Sequence, residues 1–221
     1  MKDNKMKKIL CILSIIGLTA QAQQAPAPKQ TQSVLITGVT AHIGNGTVIN
    51  NAAIGFADGK ITYVGAASQA NATSFGKVVD ASGKHVYPGF IAANSTLGLV
   101  EVDAVRASDD EAEVGGIIPH VRSIIAYNAE SKIVESMRPN GVLMAQVTPR
   151  GGRVSGSSSI VQLDGWNWED AALKTDDGIH MNWPNSFTRG RWWLGEDPGL
   201  KPNENYPKQL DEVKTFMLGA K

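Results

Sequence analysis

The chain has 221 residues, 42% of them hydrophobic and 19% charged, with 21 basic and 21 acidic side chains. This is the composition of a globular protein with one large domain or two modest ones, and it excludes a disordered chain. A single cysteine excludes a disulfide framework within the chain.

The elements follow in chain order. MKDNKMKKIL supplies a basic start, ILCILSIIGL an apolar core and Ala20-Gln21-Ala22 a small-x-small cleavage site, so residues 1–22 read as a secretory signal peptide, too short to span a membrane as a mature anchor. The mature protein is then secreted or periplasmic. Cys11 lies inside the signal without the small-residue pattern of a lipid-modified cysteine. Removing Lys2, Lys5, Lys7, Lys8 and Asp3 from the 21 basic and 21 acidic residues leaves 17 against 20, which argues against a nucleic-acid partner or a polybasic membrane role.

QQAPAPKQTQ, residues 23–32, is rich in Gln, Ala and Pro and reads as a linker. From Ser33 to Val86 short β-type runs alternate with turn signals. Asp58-Gly59, ahead of Lys60-Ile61-Thr62-Tyr63-Val64, is the strongest hairpin signal in the chain. About five short strands in this stretch suggest an antiparallel sheet or half of a sandwich. The character changes around Pro88. The apolar runs GFIAA, GVLMAQVTP and SSIVQL are separated by segments of helical or loop character, PHVRSIIAYNAESKIVESMR and WEDAALK among them. Strands spaced in this way suggest a parallel α/β arrangement over 87–221, with functional loops at the carboxyl ends of the strands. Asn94 and Thr96 follow GFIAA two positions apart, where strand side chains share a face.

The order ITGVTAHIGNGTVINNAAIGFADGKITYVG, then VVDASGKHVYPGFIAANSTLGL, resembles the start of an amidohydrolase-superfamily protein of the imidazolonepropionase-related group. In that group D-A-x-G-K-x-V-x-P-G-F-I-D-x-H-x-H leads into the first barrel strand, and Asp80, Ala81, Gly83, Lys84, Val86, Pro88, Gly89, Phe90 and Ile91 match it in order. VTPRGGRVSGSSSIVQLDGWNWEDA is similar to the secreted bacterial members. The resemblance implies an α/β fold: the N-terminal part of a (β/α)8 TIM-type barrel over 87–221, preceded by a small β-sandwich segment over 33–86. It implies hydrolysis of carbon–nitrogen bonds in small-molecule or short-peptide amides and cyclic amides. It also implies a divalent metal, often zinc, held by the H-x-H pair.

Here the H-x-H positions fall on Asn94 and Thr96, and the preceding family Asp on Ala92. Amide and hydroxyl oxygens are poor zinc ligands beside imidazole nitrogen, so any metal takes its ligands from outside this chain. A barrel of this kind needs roughly 250 residues, and residues 87–221 are about half of that. The expectation is a fragment whose missing C-terminal half, or a second chain, completes the barrel. The alternative reading is a catalytically inactive binding protein that kept the fold and lost the metal site.

Asn94 and Thr96 are expected to line the substrate pocket. Arg106 follows close behind the strand end, and Arg150 and Arg153 lie in PRGGRVSGSSS, either a backbone-lined anion cradle with an arginine on a carboxylate or a plain surface loop. His42, His85, His120 and His180 show no ligand spacing and read as structural. Trp166, Trp168, Trp192 and Trp193 offer an aromatic wall, with helix packing the better reading, and SDDEAEVGG reads as a solvated acidic loop.

Overall fold

The structure, a computed structural model, describes residues 25–220. The signal read at residues 1–22, Cys11 included, lies outside the described residues. Among the described residues no helix is long and apolar enough to cross a membrane. The fold is mixed, with several sheets and few helices, and the chain divides into two compact units between Phe90 and Ile91.

The first unit is built on Val34–His42 (β1), Val48–Ala57 (β2) and Lys60–Ala66 (β3), each antiparallel to the one before it. Between β2 and β3 the chain turns on Asp58 and Gly59 at φ 51° and 71°. Two positive φ values define a type I′ turn, whose twist matches that of the flanking strands, and Ala57 pairs with Lys60 across it. Beyond β3 the expected antiparallel succession ends. Two 3-10 turns, Ala67–Gln69 and Ala72–Ser74, carry the chain back, and Lys77–Asp80 (β4) and His85–Val86 (β5) pair parallel to β1 on its other edge. That pairing satisfies backbone groups β1 would otherwise leave open. The result is one mixed five-stranded sheet. Leu35 is fully buried in β1, and Val39, Ala41 and Ala52 form a buried cluster with Ile36, Ile49, Ile54, Ala81 and Val86 packed around them.

The second unit centres on a four-stranded sheet of Phe90–Ser95 (β6), Val142–Val147 (β7), Val154–Gln162 (β8) and Ala172–Met181 (β9), in that order. β8 is antiparallel to both β7 and β9. This corrects the expectation of parallel neighbours for GVLMAQVTP and SSIVQL. The connection Thr148–Arg153 is far shorter than the crossover of about a dozen residues that parallel pairing demands. PHVRSIIAYNAESKIVESMR is helical in a 3-10 turn at Ser123–Ala126 and in Lys132–Met137 (α1), which runs on into a 3-10 turn at Arg138–Asn140. The Ser131 hydroxyl caps α1 by accepting from the Ile133 and Val134 amides. Trp168–Ala171 (α2) starts where Asn167 accepts from the Asp170 amide at 2.8 Å. A short hairpin, Phe187–Arg189 (β10) with Leu200–Pro202 (β11), leads to Tyr206–Gly219 (α3).

Alternation along β7 turns Ala145 and Val147 inward, where they meet Leu99, Ile124, Tyr127, Val134, Val161, Leu163 and Ala171 in one apolar cluster. Burial there pushes the Tyr127 phenol up to about 12. β8 is buried from Val154 to Ser159 although it is rich in serine. Each of those hydroxyls is satisfied: Ser155 donates to the Gly151 carbonyl, Ser157 to Asp176 and Ser158 to the Gly178 carbonyl, while Ser159 accepts from the Asp176 amide. Gly156 sits in β8 at φ 117°, and a Cβ there would run into the Val121 carbonyl oxygen, so only glycine lets that loop lie against the strand.

Candidate functional site

The β7–β8–β9 register sorts side chains onto two faces. Ala145 lies opposite Val161 on the apolar side, so Gln146, opposite Ile160, belongs to the other face, which it shares with Ser158 and Lys174. There Gln146 is the hub of a polar cluster. Its Nε2 donates to Asp177 Oδ2 at 3.0 Å and to the Ser158 hydroxyl at 3.4 Å, and its Oε1 accepts from the Asn94 amide at 3.1 Å. Lys174 Nζ meets the other Asp177 oxygen at 2.7 Å.

Asn94 joins this cluster through an unusual backbone. Its φ is 50°, the left-handed region that asparagine tolerates better than other residues with a Cβ. Arg150 then grips the residue from the Thr148–Arg153 connection: Nη1 donates to Asn94 Oδ1 at 2.6 Å and Nη2 to the Asn94 carbonyl at 2.7 Å. Arg150 is itself held by its own amide, which donates to the Glu111 carbonyl at 2.7 Å. Residues 94, 146, 150, 174 and 177 thus converge across three strands and one loop.

The electrostatics follow from these contacts. The Lys174 ammonium, with a further hydrogen bond from Gln146, holds the Asp177 carboxyl below its ordinary range. His180, on β9, is pushed down by burial first and by the Arg150 charge second, with Asp177 opposing. Near neutral pH the cluster therefore presents a carboxylate, two cations and a neutral imidazole. It can position a polar substrate by hydrogen bonds, and His180 is able to accept a proton. On the opposite face of the strand Asp176, at φ 51°, accepts from Arg122 Nε at 2.9 Å and from Ser157 at 3.0 Å.

The sequence candidates separate. Asn94 and Arg150 come together. Thr96 lies just past the end of β6, where its carbonyl accepts from the Leu99 amide in a turn. Arg106 is exposed and closes its own loop by donating to the Asp109 carbonyl at 2.6 Å. Arg153 turns away from Arg150 and donates to the Asn182 carbonyl at 2.7 Å. The backbone of PRGGRVSGSSS is not an anion cradle: the amides of Arg150, Arg153 and Val154 donate to carbonyls of 111 and 116, and the carbonyls of Gly151 and Gly152 face the Asn182 amide. The acidic segment 108–116 docks on this loop through those same backbone bonds.

Trp168 packs against the apolar cluster, whereas Trp192 and Trp193 meet edge to face at 6.2 Å. His42 and His85, which read as isolated, are brought together because β5 pairs with β1. His42 Nε2 lies 3.0 Å from His85 Nδ1, and Tyr87 stacks on His42 at 4.2 Å. Gln146, Lys174, Asp177 and His180 were not legible as site residues. Lys174, Asp177 and His180 lie in KTDDGIHM, where a register shift in β9 breaks the two-residue period, and Gln146 is a lone polar residue in the apolar run GVLMAQV.

Positions 94 and 96 do not fit the divalent metal that the resemblance implies. Arg150 places a fixed positive charge 2.6 Å from the Asn94 side-chain oxygen and 2.7 Å from its carbonyl, and a neutral amide beside a hydroxyl is a weak donor set for zinc. Among the described residues no group of three or more His, Cys, Asp or Glu side chains is placed to hold a metal ion.

No protein-family model matches the chain, and no curated protein matches it. Among solved structures it is similar to the crystal structure of an amidohydrolase from Thermotoga maritima MSB8, with a TM-score of 0.61 and 21% sequence identity over 82% of this chain. At that identity the likeness is one of fold. The chain spans 42% of that structure's length.

Proposed function

We propose that this chain is the N-terminal part of a secreted or periplasmic amidohydrolase-like hydrolase of the imidazolonepropionase-related group, acting on carbon–nitrogen bonds of small-molecule or short-peptide amides. The fold likeness over 82% of the chain carries the reading. In it residues 33–86 belong to a β-sandwich and 87–221 to the first part of a (β/α)8 barrel, completed by further polypeptide or a second chain. The role of this chain's residues is to bind and orient. Arg150, pinned on Asn94, faces a substrate carboxylate or amide oxygen, Gln146 and Asp177 set the register of the amide, and Thr96 and Arg106 lie at the rim. A zinc ion, where the assembled protein uses one, takes its ligands from outside this chain.

A second reading is favoured by one observation: Arg150 occupies the Asn94 oxygen as a cation would. In that reading the protein keeps the fold and binds without catalysis. Metal analysis of the full-length protein, together with hydrolysis assays on amides and cyclic ureides, separates the two. Metal-dependent turnover supports the hydrolase. Protein that is inert until Asn94→His and Thr96→His are introduced supports the inactive binder.

A further inference from the structure

A second binding place lies in the second unit, at the start of the β10–β11 hairpin. A cleft of about 450 Å³ is lined by Arg153, Asn182, Trp183, Asn185, Phe187 and Arg189, among others, and no carboxylate contributes to its wall. That volume lies within the range of small-ligand sites, about 300–1,000 Å³. Both of its cations are under-used. Among the described residues Arg189 meets no acceptor, and the Nε of Arg153 is buried without a hydrogen-bond partner.

The cleft is also preformed. The Asn182 side chain is anchored by donating to the carbonyls of Gly151 and Gly152 and to the Ser155 hydroxyl, at 3.2, 2.9 and 3.1 Å, and its own carbonyl holds Arg153 Nη1. Asn203 ties the opposite side by donating to the Asn185 carbonyl at 2.7 Å. Trp183 and Phe187 stand 60% and 57% exposed, which leaves flat apolar surface beside the two guanidinium groups.

We propose that this cleft binds a small aromatic carboxylate. Two guanidiniums without a protein counter-charge call for an anion, and their planar forks suit a carboxylate in bidentate contact. Trp183 and Phe187 supply the stacking surface for a ring, and Asn182 Oδ1 with the Asn185 side-chain amide, neither of which meets a protein partner among the described residues, suits an amide between ring and acid. This site does not depend on hydrolysis at the Asn94–Arg150 cluster.

Hippurate, which joins a benzoyl ring, an amide and a carboxylate, is the probe, titrated calorimetrically into the full chain beside methyl hippurate and inorganic phosphate. Hippurate should bind at least tenfold more tightly than either control, and Arg189→Gln should remove that advantage. The Arg189 side chain makes no hydrogen bond or ion pair among the described residues, and its backbone pairing with Leu200 does not depend on the side chain, so the variant keeps its fold. The ester arm needs no variant at all. Equal affinity for hippurate and its ester, phosphate binding as tightly as hippurate, an unchanged affinity in Arg189→Gln, or no hippurate binding at millimolar concentration would each overturn the proposal.

Discussion

The two units of the molecule are held together by different kinds of information. In the first, a local signal dominates: Asp58 and Gly59 set a two-residue turn, and the strands on either side follow from it. In the second, the decisive contacts join residues far apart in the chain, 56 positions for Asn94 and Arg150 and 31 for Gln146 and Asp177. A unit written in turns tolerates change at its surface but not at its turns. A unit written in long-range contacts carries its chemistry where several strands meet, and a single side chain there answers to many neighbours.

The largest expected effect tests the core on which the long-range unit rests. Ile124 is fully buried in its apolar cluster, and Ile124→Ala should cost about 2–5 kcal/mol in urea denaturation through lost contacts and a cavity. A loss below about 1 kcal/mol would mean that the cluster is loosely packed.

A smaller effect is expected at the hairpin. A Cβ at Gly59 meets nothing within 4 Å, so Gly59→Ala isolates the backbone term and should cost about 1–2 kcal/mol, the penalty of left-handed backbone for a residue with a Cβ. Loss of no stability in the same denaturation would remove the turn from its leading role.

Acid titration sharpens the contrast from the other side. Lys174 and Gln146 hold Asp177 below the ordinary carboxyl value of 3.8. The carboxylate therefore stabilises the folded chain above that value, and the contribution is lost as pH falls through the lowered folded value. Asp177→Asn should flatten the stability profile below pH 3.8 and leave its slope near neutral pH unchanged. An unchanged acid limb would place Asp177 in solvent.

The most local prediction is spectroscopic. Burial and the Arg150 charge both push His180 below its ordinary 6.5. Arg150→Gln removes the second cause, so the His180 midpoint in an NMR titration should rise towards 6.5 without reaching it. A midpoint that stays put would separate Arg150 from the imidazole and dissolve the cluster as a unit.

Much of the fold was legible from sequence because its signals are short in range. The Asp58-Gly59 hairpin and the strand runs at GFIAA, GVLMAQV and SSIVQL lie where composition and alternation put them. Of the candidate site, Asn94 and Arg150 were named, but not that they touch. The strand direction at β7 and β8 was misread because apolar runs report burial and not pairing sense. The length of the Thr148–Arg153 connection was the signal that decides it.

The sequence by itself determined the turns, the strand segments and the absence of histidine at positions 94 and 96, since each depends on residues within a few positions of one another. Only the tertiary structure decided that β4 and β5 run parallel to β1, which brings His42 against His85. It alone decided that Arg150 turns to Asn94 while Arg153, three residues on, turns to Asn182. The reason is physical: a side chain's partner is set by strand pairing and register shifts, and at β9 a shift breaks the alternation on which any prediction from sequence relies.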